Sequence, residues 1–207
     1  MKVALVGTAL ALSASSAQAA IVMGEVTGGS SGGNFVELDP APGTTVGQDS
    51  FNSPDLIAFN EVQDVVLASA LAGLAAGTGV SSHFVLFDPV NSPTTRVIGN
   101  VTFDSEILAI ITSSGAISAT DGLFGNPNVT YLPGGAYGLE SNDSASFAGN
   151  QLFVNFVATS PGDHIRVLTR SAVPEPGTWA MMILGFFALG AAMRRKPAVA
   201  RHRVTYA

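Results

Sequence analysis

Two histidines, His83 and His164, are the residues best suited to acid–base or metal chemistry in the central part of this 207-residue chain, and they stand 81 residues apart. Imidazole titrates near physiological pH and is a common metal ligand. Asp88 and Asp163 lie close to them in sequence. A fold that brought the two histidines together with Asp88 or Asp163 would give a general-base pair or a metal site of the kind used by hydrolases. Each histidine also sits inside a strand-like run, "HFVLF" and "HIRVLT", where a single histidine serves equally well as a packed or solvated polar residue.

Other chemistry is thinner. "GLESNDS" places Glu140, Asn142 and Asp143 in a Gly-flanked loop whose oxygens suit calcium. It has neither the EF-hand loop nor the RTX nonapeptide, so an ordinary solvated turn is the competing reading. "GGSSG" at Gly28 to Gly32 satisfies GxSxG, but a nucleophile elbow needs a helix next, and "GGNFVE" supplies none. Tyr131 and Tyr137 flank "LPGGA" and could stack on a sugar or fill a sandwich rim. The Asn100, Asn128 and Asn142 tripeptides fit N-x-[ST] by chance. With no cysteine anywhere, a thiol nucleophile, a thiolate zinc site and a disulfide framework are all excluded.

The two ends differ in kind from the middle. "MKVALVGTALALSASSAQAA" has a basic residue, Lys2, an apolar stretch from Val3 to Leu12, and Ala17 and Ala19 flanking Gln18. That order predicts a signal peptide over 1–19, cut after Ala19 by signal peptidase once the secretion machinery has engaged the chain. Near the other end, Gly177 to Met193 carries no charge and is followed at once by Arg194, Arg195 and Lys196. Trp179 stands at the position of an interfacial anchor, and Pro174 and Pro176 isolate the run from what precedes it. A transmembrane helix over 177–193 is expected, with a basic cytoplasmic tail over 197–207. The span is marginal: Ile183, Leu184, Phe186, Phe187 and Leu189 together favour insertion by roughly −2 to −3 kcal/mol. It suits a transient membrane intermediate better than a permanent anchor.

Pro174, Glu175, Pro176, Trp179, Ala180 and Met181, then Gly185, Phe186, Gly190 and the Arg194-Arg195-Lys196 cluster, resemble the PEP-CTERM sorting signal in its PEPxxWA subtype, over 174–196. The resemblance implies recognition by exosortase, a membrane-embedded cysteine protease or transpeptidase acting near the Pro-Glu-Pro. It further implies a Gram-negative bacterium that makes exopolysaccharide, and a product at the cell surface or outside it. The chain departs from the pattern in continuing to Ala207 with "PAVARHRVTYA". Physically, two prolines fix φ and remove donors, so the segment stays extended and suits a protease that binds its substrate as a strand. More softly, "SSHFVLFDP", "GNVTFDSEILAII", "GNPNVTYL" and "SPGDHIRVLT" are similar to segments of PEPxxWA proteins whose exported domain has no assigned activity.

The exported part, Ala20 to Val173, is long enough for one domain with a sizeable core. It holds fourteen Asp and Glu residues against Arg96, Arg166 and Arg170, a formal net charge of −11 that the whole-chain value of −6 conceals. Such a surface repels phosphate backbones and excludes nucleic acid as a partner, while favouring divalent cations.

Short apolar runs punctuated by "NSPTT", "DGLFGNPN", "LPGGAYG" and "SPGD" predict an all-β domain, an antiparallel sandwich or jelly roll. Its body covers 55–173, after a Gly/Ser/Pro-rich lead-in and first strand over 20–54. "VTGGSSGGNF" fits a flexible lead-in or a Gly-rich turn. "EVQDVVLASALAGLAA" is the one helix candidate of the exported part and fits a strand equally well. Two readings of function follow. One is a noncatalytic surface or matrix protein associated with exopolysaccharide or the cell envelope. The other is a hydrolase or metal-assisted enzyme built on His83, His164 and nearby carboxylates.

Overall fold

The computed structural model describes residues 19–43, 45–47, 49–90, 93–132, 138–171 and 176–194. The chain divides into two compact units, one spanning Gln18–Ala172 and a second that contains residues 176–194. Ala17, Pro174, Glu175, Arg195, Lys196, Tyr137 and the 197–207 tail lie outside the described residues.

The first unit has two sheets face to face. One has four strands: β1 (Ile21–Gly29) beside β7 (Thr95–Phe103), then β11 (Gln151–Ala158) and β10 (Ser144–Ala148), every pair antiparallel. The other runs β2 (Phe35–Glu37), β4 (Leu56–Asn60), β6 (Gly79–Phe87), β12 (Asp163–Arg170) and β8 (Ile107–Ile111), with β5 (Val65–Val66) also paired to β6. A two-stranded sheet joins β3 (Thr45–Val46) to β9 (Thr130–Tyr131).

The β-rich expectation holds, and the purely antiparallel one is corrected: β2 with β4 and β3 with β9 are parallel. Residues 20–54 contribute three strands, with "GGSSGG" as the turn between β1 and β2. Its Gly29 has φ of 111°, and a Cβ there would lie 2.2 Å from the Arg96 carbonyl oxygen, so only glycine fits.

Burial explains which strands went where. β7 and β11 alternate buried with half-exposed residues, as a strand with one wet face must. β6 and β12 are buried on both faces along nearly their whole length. Val85 and Phe87 of β6 join Ile165 and Val167 of β12, Val97, Val101 and Phe103 of β7, and Leu152, Val154 and Phe156 of β11 in the core between the sheets. Phe84 and Leu86 face the opposite way into a second core with Phe59, Ile111, Leu168, Ile117 and Phe124.

That second core exists because a helix covers the outer face of the six-stranded sheet. α1 (Ser114–Phe124) starts at Ser113, whose Oγ accepts the Ala116 N–H, and stops at Gly125, whose N–H reaches the Asp121 carbonyl. It buries Ile117, Thr120 and Phe124, one side of the helix.

Of the two readings open for 61–76, the strand is the one the structure takes: β5 lies within it and a hairpin leads into β6. Leu71 and Leu74 exchange backbone hydrogen bonds around Ala72 and Gly73, both at positive φ (51° and 81°), the geometry of a type I′ turn.

In the second unit, α2 (Pro176–Arg194) is a 19-residue helix with proline at its first position and Arg194 in its last turn. Ile183, Leu184, Phe186, Phe187 and Leu189 are exposed on it. Among the described residues no helix is long and apolar enough to cross a membrane. The span expected over 177–193 falls within α2.

Candidate functional site

Arg166, in the middle of β12, is fully buried on the side facing α1. Its Nε and Nη2 donate to the two oxygens of Glu61, which follows β4, at 2.7 and 2.8 Å. Nη2 also reaches Asp121 Oδ1 at 2.9 Å, and Nη1 donates to the Ile117 carbonyl and the Thr120 hydroxyl. The guanidinium carbon lies 5.5 Å from the Phe84 ring centroid and 5.6 Å from that of Tyr131. Glu61 accepts a further hydrogen bond from Ser82.

Burial alone would pull the Arg166 pKa down. The Glu61 hydrogen bonds and charge, then those of Asp121, raise it instead. Burial raises the Asp121 carboxyl against the opposing pull of Arg166, and burial followed by the charge of Glu61 raises the Tyr131 phenol.

Every face of this cation is engaged, so the arrangement is a clamp holding α1 to the sheet. The cavity beside it, bounded by Phe84, Ile117, Asp121, Tyr131 and His164, has a volume of about 10 Å³, room for one water and no substrate.

The two histidines sit on adjacent strands and face opposite ways. His83 pairs with Val167, and His164 with Leu86, in the antiparallel register of β6 and β12. Because side chains alternate along a strand, His83 shares its face with Val85 and Val167, while His164 shares its face with Phe84 and Leu86. The sheet thus separates the imidazoles.

His83 stacks 4.6 Å from Phe103, with Nδ1 2.7 Å from Asn60 Oδ1 and Nε2 2.9 Å from Thr169 Oγ1. Burial pushes its pKa down to about 3, so it is neutral and packed. His164 lies 5.7 Å from the Phe84 ring. Asp88 is also tied up locally, its Oδ2 accepting the Phe51 N–H at 2.7 Å. Ser30 of the GxSxG match accepts the Arg96 N–H, and β2 rather than a helix follows it. Tyr131 belongs to the Arg166 clamp, where its hydroxyl accepts the Asn126 N–H.

The structure assembles a different set of carboxylates. Glu140, Asp143 and Asp163 bring one oxygen each to within 4.8 Å of the others. Asn142, between the first two in the chain, is exposed. Asp163, twenty residues further on at the start of β12, takes the third place. In the sequence Asp163 stands out only beside His164, and the Gly162 turn before it carries no signal of the pairing. Burial, then the charges of Asp143 and Glu140, push the Asp163 carboxyl up to about 8.

At the domain's start, Ala19 is buried and Ala20 donates its N–H to Asp104 Oδ1 at 2.9 Å, while the Asp104 N–H returns to the Ala20 carbonyl.

No curated protein and no solved structure matches the chain. Residues 172–196 match the family described as the PEP-CTERM protein-sorting motif. The chain therefore carries a PEP-CTERM sorting signal, which marks it for export and for exosortase-dependent sorting to the cell surface.

Proposed function

We propose that the Gln18–Ala172 unit is the cargo of this sorting signal and acts as a noncatalytic surface or extracellular-matrix protein, associated with exopolysaccharide or the cell envelope. The observation that carries the reading is the attachment of a PEP-CTERM motif at 172–196 to a compact β unit. Support comes from how the unit uses its reactive groups: Arg166, Glu61, Asp121 and His83 are all spent on internal contacts. The opposed faces of His83 and His164 argue against the hydrolase reading.

In this account a signal peptide over 1–19 starts export, and α2 engages the inner membrane only until exosortase acts near Pro174 to Pro176. The net charge of −11 on the delivered part disfavours tight contact with an acidic polymer unless cations screen it. Retention should therefore depend on divalent ions. The test is co-sedimentation of the surface form with polysaccharide from the producing strain, with and without calcium. Calcium-dependent retention supports the reading. Recovery entirely in the supernatant under both conditions overturns the polysaccharide association.

A further inference from the structure

We infer that Glu140, Asp143 and Asp163 form a calcium site at the end of the sandwich, tying the 139–143 loop to the start of β12. The three carboxylates approach within 4.8 Å although they repel one another. Asp163 is only 1% exposed, and its Oδ2 has no hydrogen-bond partner among the described residues. A buried carboxylate oxygen without a donor costs more than its fold can recover unless a cation or proton meets it. Here that oxygen belongs to a group aimed at two further carboxylates.

The loop is already held in place on both sides. The Leu139 N–H donates to the Thr112 carbonyl just beyond β8, Val157 of β11 donates to Asp143 Oδ1, and Glu140 donates its N–H to Asp143 Oδ2. Each Asp143 oxygen keeps a second lone pair for a metal. β8 and β12 belong to one sheet and β11 to the other, so an ion here would staple the layers together in a chain that has no disulfide to do so.

The donor chemistry selects the ion. Three carboxylates with no imidazole or thiolate are hard oxygen ligands, suited to calcium or magnesium rather than zinc or copper. Calcium–oxygen bonds of 2.3–2.6 Å allow ligands about 5 Å apart across the ion, whereas magnesium draws opposite oxygens to about 4.2 Å and demands a regular octahedron. An exposed Glu140, a half-buried Asp143 and a buried Asp163 make an irregular, open-sided set that water would complete, which favours calcium.

The full chain, stripped with EGTA in mild detergent, is titrated with calcium chloride by calorimetry and melted with and without 10 mM calcium. The wild type should bind one calcium with Kd of about 0.1–1 mM, the range of extracellular modules, and melt about 5 °C higher with the ion. Asp163→Asn should melt no lower than wild type without metal, because a repelled carboxylate is gone, and should lose the calcium-dependent rise. Glu140→Gln, at an exposed position, should weaken binding at least tenfold and decides the matter alone if the Asp163 variant fails to fold. No heat and no shift in the wild type, or a shift that Glu140→Gln and Asp163→Asn both retain, overturns the site. An equal shift with magnesium overturns the choice of calcium.

Discussion

Arg166 on β12 and Glu61 beyond β4 form a two-pronged ion pair, 2.7 and 2.8 Å, with both side chains fully removed from solvent. Because 105 residues separate them, the pair closes the fold over a long stretch of chain, and it orients α1 through Thr120 and Asp121.

Breaking that pair should be costly and non-additive. Arg166→Met leaves Glu61 buried without its counter-ion and should lower stability by about 3–5 kcal/mol. Glu61→Gln should cost less, because Arg166 keeps Asp121 at 2.9 Å as a counter-ion. The double variant should lose clearly less than the sum of the two, because neither stranded charge remains. A double-mutant cycle by urea denaturation measures this; simple additivity would show that the clamp is not coupled.

His83 makes the fold sensitive to acid. Its folded pKa of about 3 lies below the ordinary 6.5, so the folded state binds the proton less readily than the unfolded chain. The stability this confers is fully present above pH 6.5 and is lost as pH falls from 6.5 towards 3, by up to about 1.4 kcal/mol per pH unit. His83→Gln, which can keep polar contact with Asn60 or Thr169, should flatten the profile of stability against pH in that window. An unchanged slope between pH 6 and 4 would contradict the assignment.

Removal of residues 1–19 would convert the Ala20 amide into an ammonium already 2.9 Å from Asp104 Oδ1. Ala19 is buried, so cleavage after it is expected before the unit folds. The secreted form should begin at Ala20 by N-terminal sequencing. Asp104→Asn should lower its stability by no more than about 1 kcal/mol, the worth of an exposed pair. A mature chain starting elsewhere would remove the pairing.

The strand runs were legible because their periods were. "HFVLF" assigned His83, Val85 and Phe87 to one face and Phe84 and Leu86 to the other, and the structure uses those two faces for two different cores. Sequence alone gives no reason to expect a second core: of the helix that creates it only Asp121 to Phe124, within "DGLFGNPN", carry a reading, as a turn. α1 contains Gly115, Gly122, two serines and a threonine, residues of modest helix propensity, and it is held by packing and by Arg166. The 61–76 stretch leaves helix and strand open: its alanines and leucines favour helix, but Val65 and Val66 pair with β6 and Ala72 and Gly73 turn the chain back on itself. Of the carboxylate set, Glu140 and Asp143 were visible as a local acidic loop. Asp163 was not, because only tertiary pairing brings it there. The sorting signal was fully legible because its information is linear: spacing and residue type alone are what a processing enzyme reads.

Intact-mass analysis of the surface form, from cells with and without exosortase, tests the central claim most directly. The account predicts a wild-type product that begins at Ala20 and lacks the α2 segment, and retention of that segment when exosortase is absent. A wild-type surface product that still carries residues 177–207, or a chain from Met1 to Ala207 found in the cytosol, would contradict it.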